Sequence, residues 1–321
     1  MSRLVVSTAV LICGGLGGAA APAVAQPEFT IVAIPDTQYY SQSILGPGAN
    51  FFDIQTNWIV ANRVNRNIVF ATHLGDVVNN AGEPGMPRLD QWDDAVRAMN
   101  ILRTSTLPFG MLPGNHDWTD SAGRGSIEHY RVRFGDNSGF SAAKPWFLGF
   151  DARGTNSAQR FATPMGDFLH LSLEWNFAIA PPSADRPAAP EDALAWAKAM
   201  LDAHPNMPTI VSTHNNLNGG SHRDGAGNDM FDRLVRSNNQ IFLVLNGHYS
   251  GEGRIDSVND HGRVVYELCS DYQSRNRGGD GWLRLFEFQP SAGRIRVRTY
   301  TPIGDAVDGV SAGAEFGSIG R

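Results

Sequence analysis

Asp, Asn and His residues recur in five short polar motifs: Asp36-Thr37-Gln38, Gly75-Asp76, Gly114-Asn115-His116-Asp117, Thr213-His214 and Gly247-His248. Carboxylate, amide and imidazole groups in combination suit Mn, Fe or Zn. Close carboxylates repel one another unless a cation lies between them, so a site that gathers them implies one. Four of the motifs closely follow apolar runs, and the first comes one proline after such a run. Open α/β sheets collect ligands just past the carboxyl ends of their strands. The pattern therefore predicts one metal site built from distant stretches of chain, with Asp36, Asp76, Asn115, His214 and His248 as its ligands.

The elements that must position these residues are legible as periodicities. Phe29 to Ile34 reads as a strand stopped by Pro35, and Ile68 to Leu74 as a second strand. Ile54, Trp58 and Ala61 recur at helical spacing, which predicts a helix over Phe52 to Arg66; Trp92, Val96 and Met99 predict another. Phe109 to Leu112 is a short strand. Trp146 to Phe150, Gln159 to Thr163 and Phe168 to Leu173 form a run of strands. A helix over Glu191 to His204 precedes buried strands at Thr209 to Thr213 and Ile241 to Leu245, with a helix around Asp229 to Ser237 between them. The later chain differs: Arg254 to Val258, Gly262 to Leu268, Trp282 to Phe288 and Arg294 to Thr299 read as antiparallel strands, the last alternating Arg with Ile295, Val297 and Thr299. Units of βα followed by a β-rich block fit an α/β, α+β-like architecture: a four-layer αββα sandwich of two mixed sheets flanked by helices. Pro181 to Pro190 reads as a surface linker, and the Gly-rich His222 to Asn228 as a mobile loop.

With 321 residues, 42% of them hydrophobic, the chain suits one large domain. The net charge is −6, with no Lys/Arg-rich run, so the sequence offers no nucleic-acid tract. Residues 1–25 have the three parts of a secretory signal: Arg3, the apolar stretch Leu4 to Ala21, and Ala23-Val24-Ala25 before Gln26. That predicts an exported protein, periplasmic or secreted, with no stable membrane anchor after cleavage. Cys13 lies in that leader, leaving Cys269 alone in the mature chain and no intramolecular disulfide. The domain is placed at 26–303, followed by a Gly-rich tail at 304–321.

Taken together and in order, the five motifs resemble those of the calcineurin-like metallophosphoesterases. The resemblance implies that Asp76 bridges two metals, the second of which also takes Asn115, His214 and His248. It implies in-line attack by metal-bound hydroxide on a phosphomonoester or phosphodiester, with His116 protonating the leaving oxygen. Two positions depart from the family pattern. Gln38 and Ser250 stand where the family places histidines, so the first metal is left with Asp36, Gln38, Asp76 and Ser250. Oxygen donors make that site harder, favouring weakly held Mn, Mg or Ca. Asn79 stands where many relatives have an Asp that orients the catalytic histidine, and Asp117 is the expected substitute.

Other residues carry weaker expectations. Tyr39 and Trp118, with Tyr40, follow site motifs and offer an aromatic wall for an organic leaving group. Glu174 ends a strand and could enter the cleft. Arg124, Arg153 and Arg160 are candidates for gripping phosphate. His73 and His170 lie inside apolar strands and read as core histidines. The rival reading is a non-catalytic metal- or ligand-binding protein on the same fold, its first metal site degraded.

Overall fold

Alternation along the strands determines how the layers stack. In β1 (Phe29–Ile34), Phe29, Ile31 and Ala33 face one way, while Val32 and Ile34 face the other. The computed structural model describes residues 26–42, 50–121, 125–140, 144–175, 193–308 and 314–316. Along the chain, β1 is followed by α1 (Gln38–Ser41), α2 (Phe51–Ala61), β2 (Ile68–His73), the small hairpin β3 (Gly82–Glu83) and β4 (Met86–Pro87), α3 (Leu89–Thr104) and β5 (Phe109–Gly110). Next come α4 (Glu128–Arg131), β6 (Phe147–Phe150), β7 (Ser157–Thr163), β8 (Gly166–Leu173), α5 (Ala193–Ala203), β9 (Thr209–Thr213), α6 (Gly225–Met230) and β10 (Ile241–Asn246). The chain continues through β11 (Gly251–Val258), β12 (Val264–Asp271), β13 (Leu283–Gln289), β14 (Arg294–Thr301), β15 (Ala306–Val307) and β16 (Ala314–Phe316).

Two large sheets result. The first runs β15-β14-β13-β1-β2-β5, with β16 also on β14; the second runs β11-β12-β10-β9-β8-β7-β6. Their facing sides close on Phe29, Ile31, Phe70, Phe168, Ile210, Leu243, Phe286 and Phe288. Rings of this size each contribute about 1.5–3 kcal/mol when buried. Val32, Ile34 and Leu285 on the outer face of the first sheet pack against Phe52 and Ile59 of α2 and Trp92, Ala95 and Met99 of α3. Leu169, Leu171, Val211 and Val244 do the same for the second sheet against Leu194, Ala197 and Leu201 of α5 and the Met230–Val235 turn. This is the predicted four-layer sandwich of two mixed sheets between helices.

Several details differ from expectation. The β-rich block does not form one antiparallel unit. β11 and β12 join the second sheet, with β12 parallel to β10, and β13 and β14 join the first. The first helix ends at Ala61, not Arg66, because Asn62 caps it. The stretch after His222 is ordered: the Asp224 side chain accepts from Gly227 N at 2.8 Å and starts α6. Past Gly304, β15 and β16 pair with β14 and cover its outer edge. The leader at 1–25 and the Pro181 to Pro190 segment lie outside the described residues. Among the described residues, no helix is long and apolar enough to cross a membrane.

What matters for the site is strand direction. β1, β2 and β5 are mutually parallel through β2, and β8, β9, β10 and β12 form a parallel run in the other sheet. Two sets of carboxyl ends therefore meet at one side of the sandwich.

His170 lies in the core beneath them. Its ring is held by Gln159 Oε1 at 2.7 Å and Ser212 Oγ at 2.8 Å. Burial holds it down at about 3, against an ordinary 6.5. An unfolded chain takes up this proton near 6.5, whereas the folded one resists until about 3. The neutral ring's contribution is thus complete above 6.5 and is lost as pH falls towards 3. Denaturant titrations of the His170→Asn variant between pH 6 and 4 should show a stability that falls less steeply than wild type, by about 1.4 kcal/mol per pH unit. Equal slopes would mean that the ring does not stay neutral in the fold.

Candidate metal centre

Each candidate ligand sits on a turn that ends a strand. Asp36 follows β1 and Pro35, Asp76 follows β2, Asn115 follows β5, His214 follows β9 and His248 follows β10. Asp76 and His248 have φ of +50° and +70°, in the left-handed region that side chains avoid. Such a conformation costs on the order of 1–3 kcal/mol and persists where surrounding contacts overdetermine it.

Those contacts are specific. The Asp117 carboxylate is fully buried and accepts from Val77 N at 3.1 Å, Val78 N at 3.0 Å and Gly114 N at 2.8 Å. It therefore ties the Gly75-Asp76 turn to the Gly114-Asn115 turn. Glycine is required at Gly114, since a Cβ there would overlap Asp76, and at Gly75, where it would lie 2.6 Å from His214 Nδ1. His116 N donates to Asp76 Oδ1 at 2.9 Å, and His248 N donates to the Asp36 carboxylate at 3.1 Å.

Three donor atoms then converge. His214 Nδ1 donates to Leu74 O at 2.8 Å, which turns Nε2 inward. That Nε2 lies 3.0 Å from Asn115 Oδ1 and 3.3 Å from Asp76 Oδ1. Ligand atoms of Asp76, His214 and His248 all fall within 4.8 Å of one another. Burial alone would depress His214, but Asp76 and Asp36 outweigh it and raise the ring to about 10. Burial pushes Asp76 up, yet His214 and the His116 N–H bring it below the ordinary carboxylate value. His248 is held down at about 4 by burial and by the charge on His214, so its ring is neutral and able to ligate.

Asp36 presents the opposite case. Burial, then the nearby Asp271, raises it well above the usual range. The Gln38 amide oxygen is buried without a hydrogen-bond partner. Crowded carboxylates and an orphaned oxygen two residues along the chain from Asp36 are the kinds of donor a divalent cation would satisfy. By donor type the residues at both places suit such an ion; among the described acidic and histidine residues, Asp76, His214 and His248 are the ones already gathered around a common point.

His116 lies at the rim, half-buried, and Asp117 does not orient it. Its Nδ1 lies 2.7 Å from the backbone carbonyl of Asn79, an arrangement that leaves Nε2 out of that contact. The expected Asp117–His116 contact fails because all of Asp117's hydrogen bonds go to backbone N–H groups. The Asn79 side chain is likewise not what holds the ring. Ser250 Oγ lies 3.5 Å from Asp271 Oδ2, a weak contact.

The aromatic wall is not where the sequence put it. Trp118 is buried in the helix-side core. Tyr40 is buried against Phe51, its hydroxyl accepting from Gly281 N at 2.9 Å. Tyr39 packs over Gly278, whose φ is +73°. Glu174 is fully buried and ion-paired to Arg153, and Arg160 pairs with Asp167. Arg124 lies outside the described residues. His73 is a core histidine, 3.0 Å from Thr37 Oγ1 and accepting from Gly75 N at 3.1 Å. The residues the sequence reading missed are Trp175, whose ring lies nearly parallel to His248 with centroids 6.5 Å apart, and Asp271. Asp271 carried the same signal as the ligands that were found, a carboxylate following an apolar strand.

A family model described as calcineurin-like phosphoesterase matches residues 29–250, and the chain belongs to that family. Members use divalent metals, and Asp76, His214 and His248 form a candidate site for one. The uncharacterized protein YvnB of Bacillus subtilis (strain 168) is 30% identical over 285 residues, covering 87% of this chain, which spans only 20% of YvnB's length. A dimetal phosphatase from Danio rerio superimposes with a TM-score of 0.52 at 14% identity, covering 87% of this chain and 98% of that one. GAP50, the anchor in the inner membrane complex of Plasmodium, does so with a TM-score of 0.53 at 12% identity, covering 87% and 86%. These two structures share the fold.

Asp117→Ala would leave three buried N–H groups without an acceptor. Urea unfolding should show a loss of about 2–4 kcal/mol, with metal affinity reduced in the folded fraction because the two ligand turns are no longer tied. A loss under about 1 kcal/mol would contradict the clamp.

Proposed function

We propose that this chain hydrolyses a phosphomonoester or phosphodiester using divalent cations, with His116 as the general acid. The observation that carries the reading is the convergence of His214 Nε2, Asn115 Oδ1 and Asp76 Oδ1, with the His116 N–H donating to that same Asp76 oxygen. Bound divalent ions would acidify a water and neutralise charge on the transferring group.

The protein's own part is positioning. Asp76 sits under the site, fixed by the His116 N–H and by the turn that Asp117 holds. The Asn79 carbonyl accepts from His116 Nδ1, fixing the orientation of the ring. Nε2 can then carry the proton handed to the leaving oxygen.

Ion preference follows the donors. The Asp76, Asn115, His214 and His248 set suits Mn, Fe or Zn, while Asp36, Gln38 and Asp76 suit Mn, Mg or Ca. Export to the periplasm or outside the cell rests on the leader pattern. Gln38 and Ser250 favour one rival reading, binding without turnover.

Nitrophenyl phosphate mono- and diesters with added Mn separate the two readings. His116→Ala should lower turnover by about 10²–10⁴-fold with metal content unchanged. Asn79→Ala should stay within about threefold of wild type, because the backbone carbonyl survives the substitution. No turnover by wild type with any divalent metal, alongside tight metal binding, would favour the rival.

A further inference from the structure

The two positions that lack histidine leave the first cation with few donors, and one neighbouring residue is placed to make up the deficit. β12 runs parallel to β10, with Cys269 opposite Asn246. Two residues beyond each partner stand Asp271 and His248. From the other side, β11 pairs Gly251 with Asp271, which brings the carboxylate next to Ser250. Asp271 is therefore held at a strand end between two of the site's motifs.

Its side chain is fully buried. Oδ1 accepts from Gln273 N at 2.8 Å, the Gln273 side chain also donates to the carboxylate, and Ser250 Oγ makes a long 3.5 Å contact to Oδ2. A carboxylate has about four lone-pair positions, so Asp271 keeps accepting capacity that its neighbours do not fill. The Gln38 oxygen, two residues from Asp36, is buried and has no partner at all. A buried, unpaired oxygen and a buried carboxylate with capacity to spare are two different donors of the kind that a hard cation would satisfy.

We propose that Asp271 is a ligand of the first cation, completing an all-oxygen site with Asp36, Gln38 and Asp76 that prefers Mn²⁺, Mg²⁺ or Ca²⁺ to Zn²⁺. The inference rests on the metal-dependent reading above and names a donor that reading lacked. Ser250 then acts as the partner that orients Asp271, not as a ligand.

The test is ion counting on the purified full chain by Mn²⁺ electron paramagnetic resonance and elemental analysis. Wild type should take up two Mn²⁺. Asp271→Asn keeps the size of the side chain and an oxygen for Gln273 N, and should bind one of the two ions at least about 10–100-fold more weakly, a loss that even outer-shell partners of a metal can produce. The other ion should stay. Asp271→His, which replaces oxygen with nitrogen, should shift the weaker site towards Zn²⁺ in competition. Two Mn²⁺ held by Asp271→Asn as tightly as by wild type would overturn the proposal while leaving the metal-dependent reading standing. So would a wild-type first site that prefers Zn²⁺, a result that needs no variant to fold. A wild-type chain that binds no divalent cation would overturn both.

Discussion

Burying negative charge at the junction of two sheets is the constraint that the rest of the structure obeys. Asp36, Asp76, Asp117 and Asp271 are all buried. An isolated carboxylate in such surroundings either gives up its charge or finds compensation. Each of the four finds some, in a different currency. Asp117 has three backbone N–H groups, Asp76 has His214 and the His116 amide, and Asp36 has the His248 amide. Asp271 has the backbone and the side chain of Gln273 and a long contact from Ser250. The ordering explains which carboxylates are structural and which remain short of positive charge. Asp117 is spent on the fold, and Asp36 and Asp271 are not.

The same ordering accounts for the backbone. Asp76 and His248 sit in the left-handed region, and the groups that pin them there are the site's own. Asp117 fixes the turn beneath Asp76 by bonding to the residues after it, and the Asp36 carboxylate fixes His248 through its amide. Ligand side chains thus hold ligand backbones. Strain of this kind limits how far the turns can relax, and a relaxed turn would let the carboxylates separate and lose the convergence at His214 Nε2. Preorganisation arises from the local chain around the turns.

Much of this was legible in the sequence, for physical reasons. Strand alternation and helix spacing are short-range signals, so Phe29–Ile34, Ile68–His73 and Thr209–Thr213 could be read directly, and with them the turns that carry the motifs. Partnerships across the fold have no such signal. Nothing in the spacing says that Asp117 would turn to the amides of Val77, Val78 and Gly114 and away from its neighbour His116. The Asn79 carbonyl was invisible for a related reason: a main-chain oxygen belongs to every residue type, so sequence carries no trace of its role. Trp118 and Glu174 misled because position after a motif says which end of the sheet a residue occupies, not which way it points. The split of β11–β12 from β13–β14 was hidden because both pairs read equally well as amphipathic strands.

The site also bears on why two sheets stay together at this end. Asp36, Asp76 and Asn115 belong to turns of the first sheet; His214, His248 and Asp271 belong to the second. Away from the site, the sheets are joined by aromatic packing around Phe29, Phe168 and Phe288. At the site, the facing groups are charged, and burial there without a counter-ion opposes closure. A cation reverses the sign of that contribution. By mass action, an ion present at about 100 times its dissociation constant stabilises the folded form by about 2.7 kcal/mol per site. That is large against the 5–15 kcal/mol by which domains are typically stable. In a chain whose only described cysteine is the buried, unpaired Cys269, no disulfide shares the task. Chemistry and cohesion therefore draw on the same carboxylates, and a residue that improves ion binding at this seam also strengthens the contact between the sheets.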